Sequence, residues 1–162
     1  MQAKVFIFPT LQGFNIIFNY LCCRMGRIIA IDYGRKRTGL AVSDPLQIIA
    51  GGLASLASSE IILFLKKYIE KENVDLFVLG EPRQMNYEYS ENMKNVERFK
   101  ASLTKAIPQI PIFMVDERFT SVLAHRAMLE GGLKKKRRQD KALVDEVSAV
   151  IILQTYLETL RV

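Results

Sequence analysis

From residue 25 onward, short β-branched apolar runs alternate with segments whose apolar residues recur every three or four positions. Residues 27–32 (RIIAID) suit a buried strand. A turn containing Gly34 leads into 38–43 (TGLAVS), a second run, and the pair predicts a hairpin. Asp44-Pro45 breaks the pattern. Residues 48–56 then predict a third strand, bent at Gly51-Gly52. Ile61, Ile62, Leu65 and Ile69 keep helical spacing, with Ser58 or Ser59 placed to cap that helix. Residues 75–80 (DLFVLG) predict a fourth, fully buried strand. An amphipathic helix over 90–107 follows, with Met93, Val96, Phe99 and Leu103 on one side. Residues 112–115 (IFMV) form a fifth strand. Thr120 or Ser121 caps a helix that stops at Gly131-Gly132. A basic loop over 133–141 and a largely apolar helix over 141–160 complete the chain. Three strands in a meander, then strands alternating with helices, imply an α/β fold: a mixed five-stranded sheet with helices on both faces.

Residues 1–24 read differently. They are apolar and aromatic, but Pro9, Gln12, Gly13, Asn15 and Asn19 interrupt them. A membrane span needs about 20 mainly apolar residues, and these polar interruptions spoil that length. Cys22-Cys23-Arg24 makes a poor signal cleavage site. The expectation is a non-native or disordered extension ahead of one domain over 25–162, with no membrane partner and a cytoplasmic location.

Composition narrows the chemistry. With 49% hydrophobic and 25% charged residues in 162, the chain is an ordinary globular one. Its net charge of +6 favours polyanionic partners without proving them. The two cysteines are adjacent and there is one histidine, His125, so a Cys/His metal centre is excluded. Any metal must be a hard cation held by carboxylate oxygens, Mg²⁺ or Mn²⁺.

Acids stand where such a cation would need them. Asp32 ends the first strand, Glu81 follows the fourth, and Asp116 and Glu117 follow the fifth. α/β proteins bind ligands at the carboxyl ends of strands. Asp145 shares a helix face with Ala149, Ile152 and Tyr156, a face that should lie on the sheet. A carboxylate there wants a cation or a hydrogen-bond donor, and spacing alone leaves both readings open. No Ser-His-Asp or Cys-His arrangement is suggested, and His125 reads as a surface residue of a helix.

The stretch 31–45 (IDYGRKRTGLAVSDP) resembles the opening motif of the YqgF/RuvX family of pre-16S rRNA nucleases, relatives of Holliday-junction resolvases. Residues 115–121 (VDERFTS) resemble its D-E-R motif, and 145–157 (DEVSAVIILQTYL) its closing helix. The resemblance runs from Met25 to about Leu160. It implies an RNase H-like fold, with Asp32, Glu117 and Asp145 as catalytic acids that bind the metal and Asp116 as a further candidate ligand. Two departures stand out: Glu81 precedes Pro82 where the family usually has a hydrophobic residue, and Ser148 stands where it often has alanine.

Lys134, Lys135, Lys136, Arg137 and Arg138 form a basic run that is either a solvated loop or a phosphate contact. Arg35, Lys36 and Arg37 flank Asp32, and Arg118 either orients a phosphate or pairs with Asp116. The expected function is a metal-dependent endonuclease processing the 5′ end of pre-16S rRNA. The alternatives are a resolvase-like nuclease acting on branched DNA and a non-catalytic RNA-binding assembly factor. An actin-like ATPase would need a second domain and a second phosphate-binding turn. Oligomeric state is not legible.

Overall fold

The computed structural model describes residues 26–82, 92–116 and 120–160, without the side chains of residues 120–122 and 125. Five strands are present: β1 (Arg27–Tyr33), β2 (Arg37–Ser43), β3 (Ala50–Ala57), β4 (Val74–Glu81) and β5 (Ile112–Asp116). The helices are α1 (Ile61–Ile69), α2 (Met93–Ala106), α3 (Thr120–Glu130), a one-turn α4 (Lys135–Arg138) and α5 (Lys141–Thr159). The strands form one sheet in the order β3-β2-β1-β4-β5. β2 pairs antiparallel with both β1 and β3, while β4 pairs parallel with β1 and with β5. The mixed five-stranded sheet predicted from the hydrophobic pattern is thus the observed one.

Alternation along the strands sorts the core into two layers. On one face, Ile29, Ile31, Leu40, Phe77 and Leu79 pack against Ile61 and Leu65 of α1 and Met93, Val96, Phe99 and Leu103 of α2. On the other, Ile28, Ala30, Ala41 and Val78 pack against Ala149, Ile152, Leu153 and Leu157 of α5. The small residues Ala30, Ala41 and Ala149 let α5 lie close to the sheet. α5 crosses the strands diagonally: Asp145 lies over Gly39 of β2, and Tyr156 meets Phe113 of β5 with ring centroids 5.1 Å apart. Its first turn is capped by Asp140, whose carboxylate accepts from the Ala142 amide at 3.0 Å.

Two local expectations change. Neither Ser58 nor Ser59 caps α1, whose N-cap is Glu60 without a side-chain bond. Ser58 instead turns back and donates to the Gly34 carbonyl at 2.6 Å. The stretch expected as a basic loop holds the single turn α4, an extended Lys134 preceding it. Among the described residues, no helix is long and apolar enough to cross a membrane.

Candidate active site

The site begins as one rung of the sheet. Asp32 of β1 pairs with Gly39 of β2, and Gly39 pairs with Ser55 of β3. Strand neighbours lie about 4.8 Å apart, so the three residues stand in a row with glycine in the middle. Asp32 alternates with Ile28 and Ala30, which places its carboxyl on the α5 face. The missing side chain of Gly39 is the gap that α5 fills. A Cβ on Gly39 would collide with the backbone carbonyl of Asp145, which has no room to yield. The close approach sets Asp145 directly over the middle of the rung, with Asp32 to one side and Ser55 to the other.

Asp145 is half-buried and its Oδ2 has two donors. Arg37 Nη2 lies 3.0 Å away, and the Ser55 hydroxyl donates across 3.5 Å. Burial pushes the Asp32 carboxyl up to about 7, and the nearby negative charge of Asp145 adds to the shift. Burial also raises Asp145, outweighing the Arg37 guanidinium and the Ser55 hydroxyl, which pull it down. Two carboxyls that each resist ionisation beside one another form a site that a cation would stabilise.

An open cleft of about 440 Å³ leads to Asp145, lined by Gly34, Lys36, Arg37 and Lys141. The β1–β2 turn forms one wall. Gly34 donates to the Arg37 carbonyl at 3.1 Å, and a Cβ on Gly34 would lie 2.5 Å from that oxygen, so the turn needs glycine. Behind the turn, Ser58 donates to Gly34, which leaves the buried Thr38 hydroxyl as donor to Ser58 at 2.9 Å. Asn92, just ahead of α2, donates to the Tyr33 carbonyl at 2.9 Å. The end of β1 is therefore braced by hydroxyl and amide groups from the α1/α2 side of the sheet.

Ser43 and Asp44, also within the opening motif, belong to the scaffold. The Ser43 hydroxyl accepts from the Ile28 amide at 2.9 Å, where the β1–β4 register slips. Asp44 accepts from the amides of Leu46, Ile48 and Ile49, bonds that lower its pKa against the effect of burial.

The other expected acids are placed differently. Glu81 and Asp116 are register partners at the ends of β4 and β5. They alternate with Phe77, Leu79, Ile112 and Met114, all of the α1/α2 layer, so the pleat turns them to the face opposite Asp32. Asp116 is thus not brought to Asp32 and Asp145. Glu117 and Arg118 lie outside the described residues. Arg35 and Lys36 are exposed on the β1–β2 turn. Lys134, Lys135, Lys136 and Arg137 are exposed around α4, with Arg138 half-buried, and α4 leads directly into α5. Arg37, expected among the phosphate contacts, is paired with Asp145. Gly39, Ser55 and Lys141 were not singled out by the sequence reading. A glycine inside the apolar run TGLAVS, marking a close backbone approach, was the available signal for the first.

Among the described residues, no three acidic, cysteine or histidine side chains form a cluster able to hold a metal ion. Asp32 and Asp145 do fit such an ion as a pair. Both offer hard oxygens, they share a face, and burial raises the pKa of each, so a bound cation would favour their ionised forms.

A sheet of this order, with a carboxylate on its central strand opposed by one from the crossing helix, defines a protein of the RNase H-like class. The solved structure of Thermus thermophilus RuvC in complex with a Holliday junction substrate shares the fold, at a TM-score of 0.53 and 17% identity. The match covers 83% of this chain and 96% of that one. The chain belongs to the RuvX family, described as Holliday junction resolvase, whose model matches residues 26–159. A Parabacteroides distasonis protein named "Putative pre-16S rRNA nuclease" is 67% identical over 135 residues, 83% of this chain and 96% of its own length. A Bacteroides fragilis protein of the same name is 63% identical over 137 residues, 85% and 99% of the two chains.

Proposed function

We propose that this chain is a divalent-metal-dependent endonuclease that processes precursor 16S rRNA in the cytoplasm. The observation that carries the reading is the convergence of Asp32 and Asp145 across Gly39. The relatives more than 60% identical, named for that RNA, supply the substrate. Asp32 and Asp145, with Glu117 of the D-E-R motif, would hold Mg²⁺ or Mn²⁺. When bound, the ion supplies Lewis-acid activation of water and charge neutralisation at the phosphodiester. The chain's own residues do the rest. Asp32 gives up its proton as the site forms, and Ser55 fixes the orientation of Asp145. Lys36, Arg37 and Lys141 line the cleft and offset the charge of an entering phosphate. The basic segment 134–138 precedes the same helix and extends this positive surface towards the flanking backbone, with Arg35 and Arg118 as further contacts.

A second reading, cleavage of branched DNA, draws on the description of the family itself. One experiment separates the two. The purified protein is incubated with labelled precursor 16S rRNA and with a four-way DNA junction, in Mg²⁺ or Mn²⁺ and in chelator, beside Asp32→Asn. Metal-dependent cutting of the RNA, lost in the variant, is expected. Cutting of the junction alone would move the function to recombination. RNA binding without cutting of either substrate would make the protein an assembly factor.

A further inference from the structure

The half-exposed ion pair at the mouth of the cleft does more than hold a side chain. Arg37 opens β2 two residues before Gly39, so it stands on the α5 face and beside the same rung as Asp32 and Asp145. Its guanidinium lies 3.0 Å from Asp145 Oδ2, with 40% of the Arg37 side chain and 27% of the Asp145 side chain exposed. A pair this open to solvent is weak and readily exchanged. Its surroundings are cationic, because Lys36 and Lys141 line the same cleft. On the anionic side, Asp140 also acts on Asp145.

We propose that Arg37 is an exchangeable counter-ion of Asp145, holding the carboxylate until a divalent cation binds there and then turning to the phosphodiester of the substrate. This rests on the metal-dependent reading given above. The chemistry of the three partners supports the exchange. A guanidinium fork matches carboxylate and phosphate geometry equally well. A divalent cation on Asp145 would set a second positive group against Arg37 at contact range, which drives the guanidinium off. The cleft it turns into is the one a phosphate would enter. Ser55, bonded to the same Oδ2, keeps the carboxylate oriented once the arginine has left. The consequence is coupling. A substrate that takes Arg37 removes the competitor for Asp145, so metal and nucleic acid each tighten the binding of the other, and by the same factor.

The test uses the full chain labelled with ¹⁵N-arginine, the Arg37 side-chain signal being assigned by its loss in Arg37→Lys. Mg²⁺ alone is titrated first, then a short 2′-O-methyl RNA oligonucleotide in the presence of Mg²⁺. The Arg37 signal should shift with Mg²⁺ and shift again with the oligonucleotide. In Arg37→Gln, with folding checked by thermal melting, Mn²⁺ affinity read by electron paramagnetic resonance should rise by about fivefold or more, a modest coupling on the usual scale. Oligonucleotide affinity should fall in the same variant. An Arg37 signal unmoved at saturating Mg²⁺, or Mn²⁺ affinity unchanged in Arg37→Gln, overturns the exchange and leaves the metal site standing. A protein that binds no Mg²⁺ overturns both the exchange and the metal-dependent reading.

Discussion

Asp32 with Asp145, and Glu81 with Asp116, are two pairs of acids at the same edge of the sheet, on opposite faces. By position along the strands they look alike, since three of the four sit at the carboxyl ends of parallel strands. What differs is the layer above them. Glu81 and Asp116 lie on the face that α1 and α2 cover, Glu81 half-buried and Asp116 exposed. Over Asp32, α5 descends onto the bare backbone of Gly39 and brings a second carboxylate into a partly buried place. Burial together with a close like charge is what raises a carboxyl pKa, and Asp32 has both. The contrast teaches that a strand end makes an acid available, and that the approach of a second element shifts its ionisation.

The largest effect should come from neutralising each pair in turn. Asp32→Asn and Asp145→Asn should each lower cleavage of precursor RNA by roughly a hundredfold or more, measured as single-turnover rates in Mg²⁺. Glu81→Gln and Asp116→Asn should stay within about threefold of the parent, because neither side chain faces the cleft. Comparable losses in both pairs would mean that the face of the sheet does not decide the matter.

The next effect concerns the gap itself. Gly39→Ala puts a methyl group against the Asp145 backbone and should destabilise the fold by about 1–3 kcal/mol, with α5 displaced and cleavage lost. Gly52→Ala meets only the flexible side chain of Glu146, and its cost in chemical unfolding should be well under about 1 kcal/mol. Equal costs at the two glycines would remove the argument for a backbone contact.

The last effect is a pH dependence of stability. Asp32 has an ordinary carboxylate pKa of 3.8 when unfolded and about 7 when folded. Between those values the native state binds more protons than the unfolded chain, so stability must fall as pH rises. In chelator, the melting temperature should therefore decline from about pH 4 to about pH 7 and level off above. Asp32→Asn should flatten that decline, and Mg²⁺ should raise the melting temperature of the parent, but not of the variant, above pH 7. A parent and variant with parallel profiles would show that Asp32 is not the titrating group.

Much of this was legible in the chain. Continuous apolar runs such as RIIAID and DLFVLG carry their strands because both faces of the sheet are covered, and the three-to-four spacing of Met93, Val96, Phe99 and Leu103 carries its helix because burial on one face dictates that spacing. Asp145 was marked by its apolar neighbours Ala149 and Ile152, and its backbone does lie against Gly39 of the sheet. The pairing of Arg37 with Asp145 was not legible, since the two lie far apart in the chain and meet only when the fold is complete. Nor was the turning away of Asp116. A one-residue difference in a strand moves a side chain to the other face, and the sequence does not fix which residue of Asp116-Glu117 is the inward one. Ser58 passed for a helix cap because caps and turn-bracing hydroxyls have the same local signature.

In the proposed function, Asp32 and Asp145 hold the divalent cation. The most direct test is a crystal of the protein grown with Mn²⁺, with anomalous scattering recorded at the manganese edge. A peak within coordination distance of both carboxylates, absent in Asp32→Asn crystals, is the predicted result. A peak beside Glu81 and Asp116, or none near Asp145 at saturating Mn²⁺, would contradict it.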